Sequence, residues 1–296
     1  MMKDLLWKNI TQLREQSPLV HSITNYVVMN NTANALLAAG ASPIMAHAQS
    51  EIEDMVNICQ ALVVNIGTLD EYWSTSMINA AKKANELSKP WVLDPVGAGA
   101  TSYRNEIIAK LLELKPTIIR ANASEIMALA KATNIATKGV DSTAESDEAI
   151  EAATSLQKEF GAVICISGET DIIIGKDQKL SLKNGNALMA KVTGMGCSAS
   201  ALTAAFAAIL ENKFEATVAA MALIGVCGEI AAKSSSGPGS LQLTLLDKLY
   251  NITSPGFFLN SGFMLVITSS YFFELNKFIK ISIFFCKSVI WVIFII

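Results

Sequence analysis

The chain is predicted to be an α/β protein, with a mostly parallel sheet covered by helices on both faces and finished by an antiparallel edge. Three observations predict this. Short apolar runs alternate with helix-length stretches from the N-terminus to about residue 250. Runs such as Ala61-Leu62-Val63-Val64 are apolar throughout, as in parallel strands buried on both faces. Between residues 162 and 183 the runs follow one another too closely to leave room for helices, and Gly175-Lys176-Asp177 and Lys183-Asn184-Gly185 supply turns.

The opening Met1-Met2-Lys3-Asp4-Leu5-Leu6-Trp7-Lys8 reads as an amphipathic helix. Its apolar stretch is too short, and too soon broken by charge, for a secretory signal. Strands are predicted at 19–23, 61–66, 91–94 and 117–120, each a short run dominated by Val, Ile, Leu or Trp. Helical spacing of apolar residues places helices at 31–39, 70–87, 105–114, 124–133 and 145–160. The edge strands are 162–166, 171–174 and 180–182, followed by helices at 198–210 and 215–233 and a closing helix at 241–251.

In such a sheet, ligands gather at the carboxyl ends of the strands. The polar and Gly-rich punctuation falls there: Val64-Asn65-Ile66-Gly67-Thr68, Asp94-Pro95-Val96-Gly97-Ala98-Gly99, Arg120-Ala121-Asn122-Ala123-Ser124-Glu125 and Ile166-Ser167-Gly168-Glu169-Thr170. Several exits at one end predict a single cleft.

Composition removes several alternatives. At 296 residues the chain holds one large domain, or at most two. A net charge of −3 and a pI near 5.5 argue against nucleic acid as the main partner. The five cysteines, Cys59, Cys165, Cys197, Cys227 and Cys286, form no Cys-x-x-Cys pair, which weakens zinc or redox roles and suits a reducing, cytoplasmic setting. With only His21 and His47 present, a multi-histidine metal site is nearly excluded, and both read as structural or pocket-lining. The α/β domain is expected to span residues 1–253. From 254 to 296 the chain turns to Phe, Ile, Ser and Lys and carries nine of the twelve phenylalanines. The run 255–273 is about bilayer length but is diluted by Asn260, serines and Thr268, and 288–296 is too short to span. The tail is expected to be foreign to the domain, with a membrane anchor as the lesser alternative.

The junction Gly194-Met195-Gly196-Cys197 and the small-residue run after it carry the chemistry. A helix start leaves N–H groups unpaired and favours anions, and glycines let phosphate oxygens approach the backbone. A tight turn before a buried helix is the simpler reading of the same residues. Phosphoryl transfer needs cations for phosphates, a metal on oxygen ligands, donors around the moving group and a residue that orients the acceptor hydroxyl. Arg120 is the candidate for a phosphate, Asp94 and Glu125 for magnesium, and Ser167 for the nucleotide. Each also has a simpler role: a surface ion pair, a turn residue, a helix-start carboxylate, a loop hydrogen bond. Cys197 stands where the acceptor oxygen would lie, and a helix start could raise its thiolate fraction; a covalent role, for which no matching histidine is apparent, and a small buried residue behind the glycines are the other readings.

Residues 1 to about 250 resemble the hydroxyethylthiazole kinase family of the ribokinase-like superfamily. The resemblance rests on His21-Ser22-Ile23-Thr24-Asn25-Tyr26-Val27, Ala39-Gly40-Ala41-Ser42-Pro43-Ile44-Met45 and Asn65-Ile66-Gly67-Thr68. It continues through Asp94-Pro95-Val96-Gly97-Ala98-Gly99, Arg120-Ala121-Asn122-Ala123-Ser124-Glu125, Gly194-Met195-Gly196-Cys197 and Ser236-Gly237-Pro238-Gly239. It implies a three-layer α/β/α sandwich and ATP- and Mg2+-dependent phosphorylation of the primary hydroxyl of 4-methyl-5-(2-hydroxyethyl)thiazole for thiamine salvage. It also implies a homotrimer with interfacial active sites. Met45, Gly194, Asn25 and Gly67 would then face the thiazole, Arg120 and Ser167 the ATP, and Asp94 and Glu125 the metal. Gly194, Gly196 and Cys197 would form the catalytic turn. A related vitamin kinase acting on hydroxymethylpyrimidine or pyridoxal, or a non-catalytic nucleotide- or thiazole-binding protein, are the competing readings.

Overall fold

The computed structural model describes residues 2–133, 145–260, 266–267, 284–286 and 289–291. The N-terminal half runs α1 (Met2–Gln16), β1 (Leu19–Ile23), α2 (Met29–Ala39), β2 (Ser42–Ile44), α3 (Ile52–Ile58), β3 (Ala61–Asn65), α4 (Glu71–Glu86), β4 (Trp91–Asp94), α5 (Ser102–Glu113), β5 (Ile118–Asn122) and α6 (Ala123–Ala132). It continues with α7 (Glu145–Phe160), β6 (Val163–Ser167), β7 (Asp171–Ile174), β8 (Lys179–Leu182), a 3-10 turn (Ala187–Lys191), α8 (Met195–Ile209), α9 (Lys213–Lys233), α10 (Pro238–Asn251), α11 (Ser254–Asn260), β9 (Val266–Ile267), β10 (Phe284–Cys286) and β11 (Val289–Trp291).

The main sheet has the order β2-β1-β3-β4-β5-β6-β7-β8-β9. Strands β1 to β6 pair in parallel, and β7, β8 and β9 extend the sheet antiparallel. Alternate residues of each central strand enter two separate cores. Ala61, Val63, Val92, Ile118 and Cys165 point to the layer of α1, α2, α8, α9 and α10. Leu62, Val64, Leu93, Ile119 and Ile164 point to the layer of α3 to α7. This is the period-two arithmetic of a strand wetted on neither face, and it yields the α/β/α sandwich.

The sequence reading missed β2, α3 and the 3-10 turn, all seven residues or fewer, too short for periodicity to register. Helix α8 begins at Met195 rather than at 198, so Gly196 and Cys197, expected from the sequence to form a catalytic turn, lie inside its first turn. Helix α9 is the one helix among the described residues long and apolar enough to cross a bilayer, yet most of it is buried in the core, from Ala216 through Gly228.

The tail starts inside the packed body. Phe257 of α11 is fully buried, with its ring 6.0 Å from that of Trp7 in α1. Lys3 Nζ donates to the carbonyl of Phe258 at 3.4 Å, and Val266–Ile267 pair with Leu180 and Ser181 of β8. Strands β10 and β11 form a separate antiparallel pair. Most of the bilayer-length run 255–273 lies outside the described residues.

Candidate active site

Because β1, β3, β4, β5 and β6 are parallel, their carboxyl ends lie along one edge of the sheet. Register then sets the first contacts. Asn65 and Asp94 are direct partners across β3 and β4, and Asn65 Nδ2 donates to Asp94 Oδ2 at 2.7 Å. Asn25, just past β1, donates through Nδ2 to Asn65 Oδ1 at 2.9 Å and lies 3.6 Å from Cys197 Sγ. Ser200 Oγ, one turn into α8, donates to the same Asp94 oxygen at 2.8 Å. The Gly67 amide also closes on Asn65 Oδ1, at 3.0 Å. A Cβ on Gly67 would fall 2.5 Å from Asn25 Nδ2, so this close approach admits only glycine.

The electrostatics of this cluster are those of buried charge. Burial pushes the Asp94 carboxyl up to about 6; Arg120 and the Ser200 and Asn65 hydrogen bonds work against the rise, and Glu125 adds to it. Burial likewise pushes the Cys197 thiol up to about 11, with the Asp94 charge adding to the rise and the asparagine bonds and Arg120 opposing it. The expectation of an enriched thiolate at the helix start is therefore overturned. Desolvation and a neighbouring carboxylate outweigh the field of the first turn.

Gly194 caps α8 with φ of 79°, and a Cβ there would strike Val28 Cγ1 at 2.6 Å. The first bond of the helix ladder runs from the Ser198 amide to the Gly194 carbonyl, so the amides of Met195, Gly196 and Cys197 precede the ladder. Arg120, on β5, sits against this turn: a Cβ on Gly196 would be 3.3 Å from its Nη1. Its side chain is buried, 7% exposed, and Nε lacks a hydrogen-bond partner among the described residues. A guanidinium and the positive end of a helix thus converge on one spot. Two like fields meeting at one spot favour an anion there, in addition to the nearby carboxylates of Asp94 and Asp171 that Arg120 already attracts.

Glu125 does what its helix-start position allows, and more. It completes a capping box on α6, with Oε2 accepting from the Asn122 amide at 2.9 Å, while Oε1 accepts from the Gly97 amide at 2.8 Å. It thereby joins the loop after β4 to α6. Ser167 ends β6 beside Asn122 and donates to the Ala121 carbonyl at 3.3 Å. The next loop is held by the Gly168 amide on Asp171 Oδ1 at 3.1 Å. Met45 follows edge strand β2 and is half-buried. Beside it, buried His21 contacts the Ala46 carbonyl through Nε2 at 2.8 Å, and the His47 ring lies 4.5 Å from Trp73. Both histidines line the surroundings, and burial holds His21 below its ordinary pKa.

Hydrogen bonds thus bring together Asn25, Gly67, Asp94 and Cys197, with Arg120 packed on Gly196; Glu125 and Ser167 sit at the next two strand ends. Sequence reasoning assigned no role to Asn65, Ser200, Arg104 or Asp171. Asn65 stands within the motif Asn65-Ile66-Gly67-Thr68 and Ser200 in the small-residue run after Cys197, where a polar residue amid buried small ones was the available signal.

A model of the hydroxyethylthiazole kinase family matches residues 10–255. The chain belongs to the hydroxyethylthiazole kinase family. A hydroxyethylthiazole kinase of Syntrophus aciditrophicus (strain SB) is 55% identical over 248 residues, covering 83% of this chain and 92% of the relative. The solved hydroxyethylthiazole kinase protein from Pyrococcus horikoshii OT3 is 38% identical with a TM-score of 0.83, covering 90% of this chain and all of that one. A ribokinase-like superfamily protein from Enterococcus faecalis V583 is 12% identical with a TM-score of 0.61, covering 83% of this chain and 93% of that one, a likeness of fold alone. The α/β/α architecture of this hydroxyethylthiazole kinase family member is accordingly ribokinase-like.

Proposed function

We propose that this chain transfers the terminal phosphoryl group of ATP to the primary hydroxyl of 4-methyl-5-(2-hydroxyethyl)thiazole, giving the thiazole phosphate used in thiamine salvage. The observation that carries the reading is the meeting of buried Arg120 with the unladdered amides of Met195, Gly196 and Cys197. Arg120 neutralises the ATP phosphates, and Ser167, on the adjoining strand, holds the nucleotide from the same side. The amides after Gly194 receive the equatorial oxygens of the moving phosphoryl group, where charge develops as the bond to ADP breaks. Asn25, Gly67, Met45 and Gly194 face the thiazole; a thioether and small residues suit a soft heteroaromatic ring.

Magnesium fits the donor set. Asp94 and Glu125 are hard oxygen ligands, and both bonds received by Asp94 fall on Oδ2, leaving Oδ1 for a ligand. Glu125 raises the Asp94 pKa, a repulsion that a divalent cation relieves. Among the described residues no group of three or more His, Cys, Asp and Glu could hold a metal ion, so the remaining ligands would have to come from phosphate oxygens and water. Both Glu125 oxygens already accept amides, which suits an indirect contact. When bound, the ion supplies charge neutralisation on the phosphates.

Cys197 orients the alcohol as a neutral thiol. A loose transition state needs little proton removal before the phosphoryl group moves, so positioning supplies much of the rate. The protein works in the cytoplasm as a homotrimer with interfacial sites. The test is mass-resolved product detection with purified protein, ATP, Mg2+ and the thiazole alcohol, alongside hydroxymethylpyrimidine and pyridoxal. Thiazole phosphate and ADP in equal amounts are expected, and chelation of Mg2+ should abolish both. Arg120→Ala should raise the KM for ATP far more than that for thiazole. Binding without ADP formation, or phosphorylation of the pyrimidine alone, would overturn the assignment.

A further inference from the structure

We propose that Arg104 is a positioning residue that ties the thiazole-side loop after β3 to the carboxylate-bearing loop after β4. Arg104 lies in the first turn of α5, where Thr101 is the N-cap and accepts the Arg104 amide at 3.2 Å. That is the third helical position, where a Glu or Gln would complete a capping box and where the helix field opposes a cation. The first turn of α5 contains no acidic residue. The sequence therefore sets aside helix stability at this point, and the side chain shows what replaces it. Nη1 donates to the carbonyls of Ile66 and Val96, the latter at 2.7 Å, and Nη2 donates to the Gly67 carbonyl at 3.1 Å.

One planar fork thus spans two strand exits, which a single ammonium could not do with the same geometry. On the far side of the second loop the Gly97 amide is held by Glu125 Oε1 at 2.8 Å. A Cβ on Gly97, whose φ is 72°, would lie 3.5 Å from Arg104 Nε, so the loop packs directly on the guanidinium. The loop after Asp94 is clamped from its carbonyl side by Arg104 and from its amide side by Glu125. The loop bearing Gly67 hangs on the same guanidinium. Arg120 and Ser167 belong to β5 and β6 and share none of these bonds. The inference rests on the placement of Gly67 beside the thiazole and Asp94 beside the metal.

The experiment compares R104A and R104K with the parent enzyme, varying thiazole and ATP separately and recording thermal midpoints. For R104A the thiazole KM should rise on the order of tenfold with a fall in kcat, as loosened loops misplace the acceptor, while the ATP KM, set chiefly by Arg120 and Ser167, rises by much less. R104K, reaching fewer carbonyls, should fall between the two, and it carries the test should R104A not fold. Millimolar guanidinium should restore part of the R104A activity and none of the R104K activity, whose site the lysine fills. Thiazole and ATP KM values moving together, or neither moving, would overturn the proposal. So would absence of rescue in folded R104A. Asn25→Ala, run in parallel, separates the two levels of the reading. If it raises the thiazole KM and R104A does not, the tie alone fails. If neither does, the thiazole placement fails and takes the tie with it.

Discussion

Cys197 shows how a residue's surroundings can reverse what its position suggests. At the mouth of α8 a thiol gains from the helix field, but here it is partly buried beside Asp94, and its pKa is pushed up to about 11. A group so reluctant to ionise is scarcely present as a base at neutral pH. Cys197→Asp places a carboxylate at the same point, ionised in mild alkali even with a raised pKa, and should keep or increase turnover at pH 8. Turnover abolished with thiazole binding intact would show that this position does not face the acceptor hydroxyl. Asp171 gives a second test. Burial raises its carboxyl to about 6, against the pull of Arg120 and the Gly168 amide. Its folded pKa lies above the unfolded value, so its contribution is fully present below about pH 4 and is lost as pH rises through 6. Asp171→Asn keeps an oxygen for the Gly168 amide and removes the ionised form. It should therefore be more stable than the parent at pH 7.5, by about 2–3 kcal/mol at most, with the advantage gone at pH 4; paired thermal melts at the two pH values check this. The sequence placed the chemistry-bearing residues at strand exits but could not supply these signs. Desolvation depends on what the rest of the chain folds over a group.

At the scale of elements, the legible parts were the long and periodic ones. The strands at Leu19–Ile23, Trp91–Asp94 and Asp171–Ile174 and the helix at Glu145–Phe160 have the bounds the sequence suggested. The start of α8 was misplaced because Gly194-Met195-Gly196 reads as a turn, whereas only Gly194 leaves helical geometry. The edge strand β2 was illegible because three half-buried residues carry no pattern. Helix α11 is the most informative case. Composition set the tail apart at 254, yet Phe257 fills a place against α1 that nothing upstream occupies. Burial of one phenylalanine is worth about 2–3 kcal/mol, and its removal also leaves a cavity. Phe257→Ala should lower the unfolding free energy by about 3 kcal/mol or more in urea titration. A change within a few tenths would mean that the tail is not part of the cooperative unit.

For the whole molecule, the kinase-like region and a sheet lengthened by β9 form the body on which any assembly is built. Exposed apolar residues just past β1, Tyr26 at 56% and Val27 at 61%, adjoin Asn25 and thus the proposed thiazole subsite. In the proposed trimer these are side chains that a neighbouring subunit would cover, and sedimentation velocity should return three times the chain mass of 31.7 kDa. A monomer with full activity would exclude interfacial sites. The pairing of β3 with β4 has a wider consequence. The same register that seats Val63 and Val92 in one core, and Val64 and Leu93 in the other, sets Asn65 opposite Asp94. A slip of one residue would send each oily side chain to the wrong layer and pull amide and carboxylate apart in the same motion. Interior packing and reactivity therefore share one lock, and a substitution deep in these strands, far from any ligand, is felt at the reacting end.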